Sequence, residues 1–143
     1  MSIRQISVFV ENKQGSLVEI TDTLAKENID LRAMSIADTQ DFGILRLIVS
    51  DTDKALAILR SKNCIVTETA VIGARLRNEP GALATVVRVL SEGGVNVEYM
   101  YAFNGATPHH AYVVLRVDDN EKVTELLLAE GIKCITQEQV SEI

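Results

Sequence analysis

Asn12-Lys13-Gln14-Gly15-Ser16-Leu17 recurs 66 positions later as Asn78-Glu79-Pro80-Gly81-Ala82-Leu83. Each copy follows a short alternating apolar run and opens a stretch with helical spacing. A glycine turn from strand into helix leaves backbone N–H groups pointing outward at the helix start. Those donors, with the helix dipole behind them, suit a carboxylate or another anion. The turn occurs twice, which implies two equivalent small-molecule pockets and favours binding over bond making.

Other combinations of reactive residues point to structure. His109-His110 stand beside Thr107-Pro108, but neighbours in a strand face opposite ways and do not chelate one ion unaided. They read as hairpin-end histidines without metal. Asp51/Asp53 and Asp118/Asp119 each sit where a helix begins, so capping explains them. Cys64 and Cys134 are the only cysteines and read as reduced core thiols of a cytosolic protein. The chain holds no phosphate loop with its lysine, no Gly-x-Ser-x-Gly, no His-Glu-x-x-His and no Cys-x-x-Cys. An acylphosphatase-like hydrolase would need an arginine in the first turn, where only Lys13 and Glu79 stand. No catalytic residue, cofactor or metal ligand is therefore expected.

The totals narrow the partners. A net charge of −6 over 143 residues argues against nucleic acid, which calls for a basic face. Aromatics make up 4% and tryptophan is absent, so no base-stacking platform is evident. No apolar run approaches a membrane span, and Met1-Ser2-Ile3-Arg4-Gln5-Ile6 lacks a signal pattern. The expectation is a cytoplasmic protein.

The elements that must position the two turns follow from periodicity. Ile6, Val8 and Val10 alternate with Gln5, Ser7 and Phe9 as one strand. Leu17, Ile20, Thr21, Leu24 and Ala25 recur at helical spacing until Asn28. A second strand starts at Ile29-Asp30-Leu31 and runs to about Ala37. Asp38-Thr39-Gln40-Asp41 forms a turn, and Phe42–Val49 the third strand. Ala55, Leu56, Ile58 and Leu59 supply a second helix, and Cys64–Ile72 a fourth strand. The second half repeats the order: Ile72, Ala74 and Leu76; the helix of Leu83, Val86, Val87 and Leu90; Val95–Phe103; Ala111–Val117; the helix of Val123, Leu126 and Leu127; and a weak last strand, Ile135–Val140. Tyr99, Tyr101 and Phe103 share one face of their strand, read either as packing or interface residues or as contacts to a ligand side chain.

Strand, helix, strand, strand, helix, strand describes a ferredoxin-like α+β sandwich. Two tandem units are expected, 1–72 and 73–143, each with two helices on one face of a four-stranded antiparallel sheet. Gly73 reads as the bend between them. Units of about seventy residues have marginal cores, so self-association, as a homodimer, is expected.

Asn78-Glu79-Pro80-Gly81-Ala82-Leu83, then Leu90 and Gly93-Gly94-Val95-Asn96-Val97-Glu98, resemble the ACT domain, a small ligand-sensing module of amino-acid metabolism. The resemblance spans nearly the whole chain in two copies. The first copy departs from it, with Gln14 in place of proline and Asn28-Ile29-Asp30-Leu31 at the start of strand two. The second copy also resembles the regulatory small subunit of acetohydroxyacid synthase. The resemblance implies a free amino acid as effector, held between ACT units. One pocket would use Asn12, Gly15, Ser16 and Leu17 with Asn96 and Val97. The other would use Asn78, Gly81, Ala82 and Leu83 with Asp30 and Leu31. Asn12 and Asn78 remain open between capping and ligand contact, and Asp30 between a solvated acid and an ammonium acceptor. The function implied is a non-catalytic amino-acid sensor. A regulatory subunit of a biosynthetic enzyme, or a dimerisation module with no ligand, are the alternatives, so a metabolic enzyme is a candidate partner.

Overall fold

The computed structural model of the chain describes residues 1–38 and 40–143. Thr39, within the turn expected over Asp38–Asp41, lies outside the described residues. In order come β1 (Ile3–Glu11), α1 (Ser16–Lys26), β2 (Leu31–Asp38), β3 (Phe42–Val49), α2 (Thr52–Ser61) and β4 (Val66–Arg77). They are followed by α3 (Ala82–Glu92), β5 (Tyr99–Ala102), β6 (His110–Arg116), α4 (Asn120–Ala129) and a short 3-10 helix (Glu138–Glu142). The chain divides into two compact units, Arg4–Thr69 and Met1–Ile3 with Ala70–Ile143.

In the Arg4–Thr69 unit, β3 pairs antiparallel with β1 and with β2. Phe9 N–H donates to the Ile65 carbonyl on the other side of β1, at 3.0 Å. Alternation decides the faces. Ile6, Val8 and Val10 of β1 and Leu45, Leu47 and Val49 of β3 turn to the helices. There they form one buried cluster with Ile20 and Leu24 of α1 and Ala55, Leu56 and Leu59 of α2. The other unit is built alike: β6 pairs antiparallel with β4 and β5, and Ile72, Ala74, Leu76, Val113 and Leu115 pack on Val86, Leu90, Val123 and Leu127.

All four helices end the same way. Asn28 (φ 56°), Asn63 (φ 63°), Gly94 (φ 74°) and Gly131 (φ 74°) take the left-handed conformation just past the ends of α1, α2, α3 and α4. The next N–H reaches back to the last buried leucine: Ile29 to Leu24 (3.0 Å), Cys64 to Leu59 (3.0 Å), Val95 to Leu90 (2.8 Å) and Ile132 to Leu127 (2.9 Å). These are Schellman endings, which satisfy stranded carbonyls and bury the following apolar residue.

Two expectations need correction. The last strand, expected over Ile135–Val140, is reduced to one bridge between Ala74 and Cys134. Thr136 and Gln139 then bond reciprocally, Thr136 N–H to Gln139 Oε1 at 2.9 Å and Gln139 N–H to Thr136 Oγ1 at 3.3 Å. That capping box turns the chain into the 3-10 helix. Gly73 is no bend either: it lies inside the continuous strand β4, without a left-handed φ. A Cβ there would stand 2.5 Å from Ile135 Cγ1 and 3.1 Å from Ile3 Cδ1. Close packing, not flexibility, requires glycine.

The aromatic stripe keeps to one face, as alternation dictates, while Met100 packs on the helical side with the core. Tyr101 and Phe103 are buried within the single chain. Tyr99 stacks on Tyr101 at 6.4 Å, and Phe103 meets Tyr112 edge-on at 6.2 Å. Tyr101 and Phe103 are therefore not a free surface for self-association.

Gly73→Ala should cost about 1–3 kcal/mol by overpacking, and Ile135→Ala about 2–5 kcal/mol by leaving a cavity. The double variant should lose less than the sum, read by chemical denaturation. A second outcome concerns Arg4, whose Nε donates to Glu68 Oε1 at 2.5 Å and whose Nη2 donates to Asp53 Oδ1 at 2.8 Å. The Arg4 hydrogen bond holds the Glu68 carboxyl below the usual glutamate range. Its contribution is thus complete above that range and lost as pH falls through the lowered folded value. The stability difference between wild type and Arg4→Met should shrink steadily from neutral pH to about pH 3.

Candidate functional site

The helices divide by how they begin. Asp51 accepts from Lys54 N–H at 3.1 Å and Asp119 from Lys122 N–H at 3.0 Å, capping α2 and α4 as the sequence predicts. Neither α1 nor α3 has a side-chain cap. Each starts instead on a left-handed glycine, Gly15 at φ 90° and Gly81 at φ 87°, where only glycine sits without strain. The first-turn donors of α1 and α3 therefore lack the side-chain acceptor that α2 and α4 carry.

Open space surrounds both glycines, with nothing within 4 Å of a Cβ built on either. This changes what a substitution does. A side chain at Gly81 meets no steric block but forces a left-handed backbone, a cost of about 1–2 kcal/mol. Gly81→Val is accordingly a backbone lesion and does not leave the turn intact.

The asparagines support the turns from behind. Asn12 N–H donates to the Asp41 carbonyl and Asn78 N–H to the His109 carbonyl, each at 3.0 Å. Asn78 also donates its side-chain amide to the Thr107 carbonyl at 2.9 Å. His109 and His110 N–H in turn donate to Thr107 Oγ1 at 3.3 and 2.9 Å. Asn78 thus ties the glycine turn to the β5–β6 loop and does not cap α3.

Around the first turn lie two cavities. One, of about 360 Å³, is lined by Ser16 with Glu11, Lys13, Glu19, Lys62 and Asn63. The second, of about 300 Å³, is almost wholly apolar and brings Leu17 and Leu31 together with Ile20, Leu24, Met34 and Ile36. Leu17, Met34 and Ile36 are 45%, 43% and 49% exposed, so this groove opens to solvent along the edge strand β2. Around the second turn, Ala82 lines a cavity of about 280 Å³ with Arg75, Arg77, Glu79, Thr85 and Glu130. Leu83 is 38% exposed. Asn96 is exposed, and Val97 packs on the core of its own unit.

Asp30 is engaged already. Its carboxylate takes Arg32 Nη1 at 2.7 Å, and its N–H donates to Ser50 Oγ at 2.9 Å. The carboxylate is still 65% exposed, which leaves acceptor capacity for a cation. Sequence reasoning missed Lys62 and Asn63, brought to the first turn by the Schellman ending of α2. It also missed Met34 and Ile36, whose alternation beside Leu31 was the available signal.

Cys64 and Cys134 are free, each packed at the margin of its unit's core, where burial pushes both thiols up. Among the described residues, no helix is long and apolar enough to cross a membrane.

Comparison with known proteins agrees with this architecture. The crystal structure of protein BT0572 from Bacteroides thetaiotaomicron is 43% identical, with a TM-score of 0.93 over 100% of this chain and 98% of that one. The ligand-free regulatory subunit of aspartate kinase from Thermus thermophilus is 12% identical, with a TM-score of 0.63 over 88% and 91% of the two chains. The same subunit from Thermus flavus is 13% identical, with a TM-score of 0.61 over 88% and 90%. At such identities the aspartate kinase subunits share the fold. No curated protein matches the sequence. Residues 1–143 match the ACT domain pair, and the chain belongs to that family.

Proposed function

We propose that this chain is a non-catalytic regulatory protein that binds a free α-amino acid. The observation that carries the reading is the division of helix starts: α2 and α4 cap themselves, whereas α1 and α3 begin uncapped on glycine. An amino-acid carboxylate is the acceptor those first turns lack. Asp30 and Asn96 are the proposed ammonium partners, and Leu17, Leu31, Leu83 and Val97 the apolar walls. Asn12 and Asn78 hold the turns in place, while Ser16 and Ala82, whose own N–H groups close the turns on Lys13 and Glu79, lead into the first-turn N–H groups proposed to meet the carboxylate. A pocket matched to both ends of a zwitterion rejects molecules lacking either. Residues 1–72 and 73–143 are the proposed ACT domains. No cofactor takes part, and the output passes to another protein, with an amino-acid biosynthetic enzyme as the proposed partner in the cytoplasm.

The exposed groove at β2 supports a homodimer. Antiparallel pairing of β2 with its copy about Ser35 would set Met34 opposite Ile36 and Arg32 opposite Asp38. Such pairing is self-complementary, as a two-fold interface requires.

A thermal-shift screen of the twenty amino acids should find at least one that raises the melting temperature, by mass action. Gly81→Ala should lower basal stability by about 1–2 kcal/mol and weaken binding at its own turn. Asn78→Ala should weaken it by about 1–3 kcal/mol. If no amino acid gives a shift or calorimetric heat at millimolar concentration, a ligand-free dimerisation module replaces the sensor. Light scattering should report a dimer for the wild type and a monomer for Met34→Lys; a wild-type monomer refutes the proposed assembly.

A further inference from the structure

The two copies differ most informatively on the sheet face away from the helices. Phe9 stands across from Ile44 on β3 and donates its N–H to Ile65 on the other side. The same three positions in the second copy are Arg75, Tyr112 and Lys133: Arg75 pairs with Tyr112 on β6 and donates its N–H to the Lys133 carbonyl at 2.9 Å. An apolar trio in one copy is thus two cations and a phenol in the other. Side chains of cross-strand neighbours approach within about 5 Å, where like charges destabilise each other. In a chain of net charge −6, an unneutralised Arg–Lys pair runs against the general balance.

These residues meet in a cavity. About 200 Å³ is enclosed by Arg75, Tyr112, Lys133 and Cys134 with Gln139 and Glu142 of the C-terminal segment. Among the described residues, neither Arg75 nor Lys133 has an ion-pair partner, Glu142 included. Arg75 is half-buried and Tyr112 likewise, so a charge held there is partly shielded from screening. Tyr112 leans edge-on against Phe103, which fixes its ring and leaves the hydroxyl as a positioned donor.

We propose that Arg75, Lys133 and Tyr112 form a site for a small anion bearing a phosphate or carboxylate group. The guanidinium offers a planar fork, the ammonium a point charge and the phenol a third donor. This site shares Arg75 with the cavity beside Ala82 but takes its other donors, Tyr112 and Lys133, from outside that cavity, and it is special to the second copy, since Phe9, Ile44 and Ile65 offer no donors. Occupation neutralises the cation pair and fastens the Ile135–Ile143 segment over the sheet.

The test uses the full chain at constant ionic strength, with inorganic phosphate and malonate as separate probes against chloride. At least one probe should raise the melting temperature saturably, and the one that does identifies the source of the anionic group. Arg75→Gln and Lys133→Gln should each weaken the apparent affinity about tenfold or more, as expected for losing a hydrogen bond to a charged group. Lys133 is exposed, so its variant keeps the fold, checked by circular dichroism. Glu142→Gln should tighten binding. Gly81→Ala, which alters the turn, should leave the anion response unchanged, separating this site from amino-acid binding. A saturable shift from neither probe, or the same shift in Lys133→Gln as in wild type, overturns the proposal.

Discussion

A helix that starts on a left-handed glycine has no side chain with which to cap itself, and this constraint organises both copies of the fold. Only glycine takes that backbone without strain, so the turn is narrow and open, with nothing near enough to meet a Cβ at Gly15 or Gly81. The strand before it and the helix after it are then fixed in direction by the turn. Ser16 N–H and Ala82 N–H close the turns on the Lys13 and Glu79 carbonyls at 3.3 Å, and the donors that follow them in the first turn are left without a side-chain acceptor. At α2 and α4 the same problem is solved internally by Asp51 and Asp119. The contrast within one chain shows that capping residues are available to this fold and are absent at two equivalent places.

Stability is supplied elsewhere. Each unit has its own cluster of fully buried aliphatic side chains, and each such side chain contributes about 1.5–3 kcal/mol on burial. Four Schellman endings close the helices. In the Arg4–Thr69 unit, Lys54 Nζ also donates to the Glu27 carbonyl at 2.8 Å, joining the start of α2 to the end of α1. The glycine turns add little to these cores, so they are free to serve as recognition surfaces. On the opposite sheet face the copies differ in chemical character, with apolar Phe9 and Ile65 corresponding to Arg75 and Lys133.

The order of elements was legible because apolar periodicity switches cleanly between two and about 3.6 residues at each turn. The helix ends were legible too, since asparagine and glycine mark left-handed closing residues at Asn28 and Gly94. The segment after Cys134 was not. Ile135 and Val140 fit a buried strand as well as a short helix, and the deciding signal was the Thr136–Gln139 capping box. Gly73 misled for a related reason: a glycine needed for close approach to Ile135 looks, in sequence, like one needed for a bend. The turns themselves were found from their recurrence. Their surroundings were not, because Lys62, Met34 and Ile36 arrive from distant positions through the packing of α2 and β2.

The central claim is that the uncapped donors of α1 and α3 receive a ligand carboxylate. Amide nitrogen and proton shifts, followed by NMR as the stabilising amino acid is titrated into the full chain, test this most directly. The account predicts saturable changes concentrated at Ser16–Val18, at Ala82–Ala84, or at both, with the Lys54 and Lys122 amides of the self-capped helices unmoved. Saturable binding whose shifts bypass both glycine turns would contradict it.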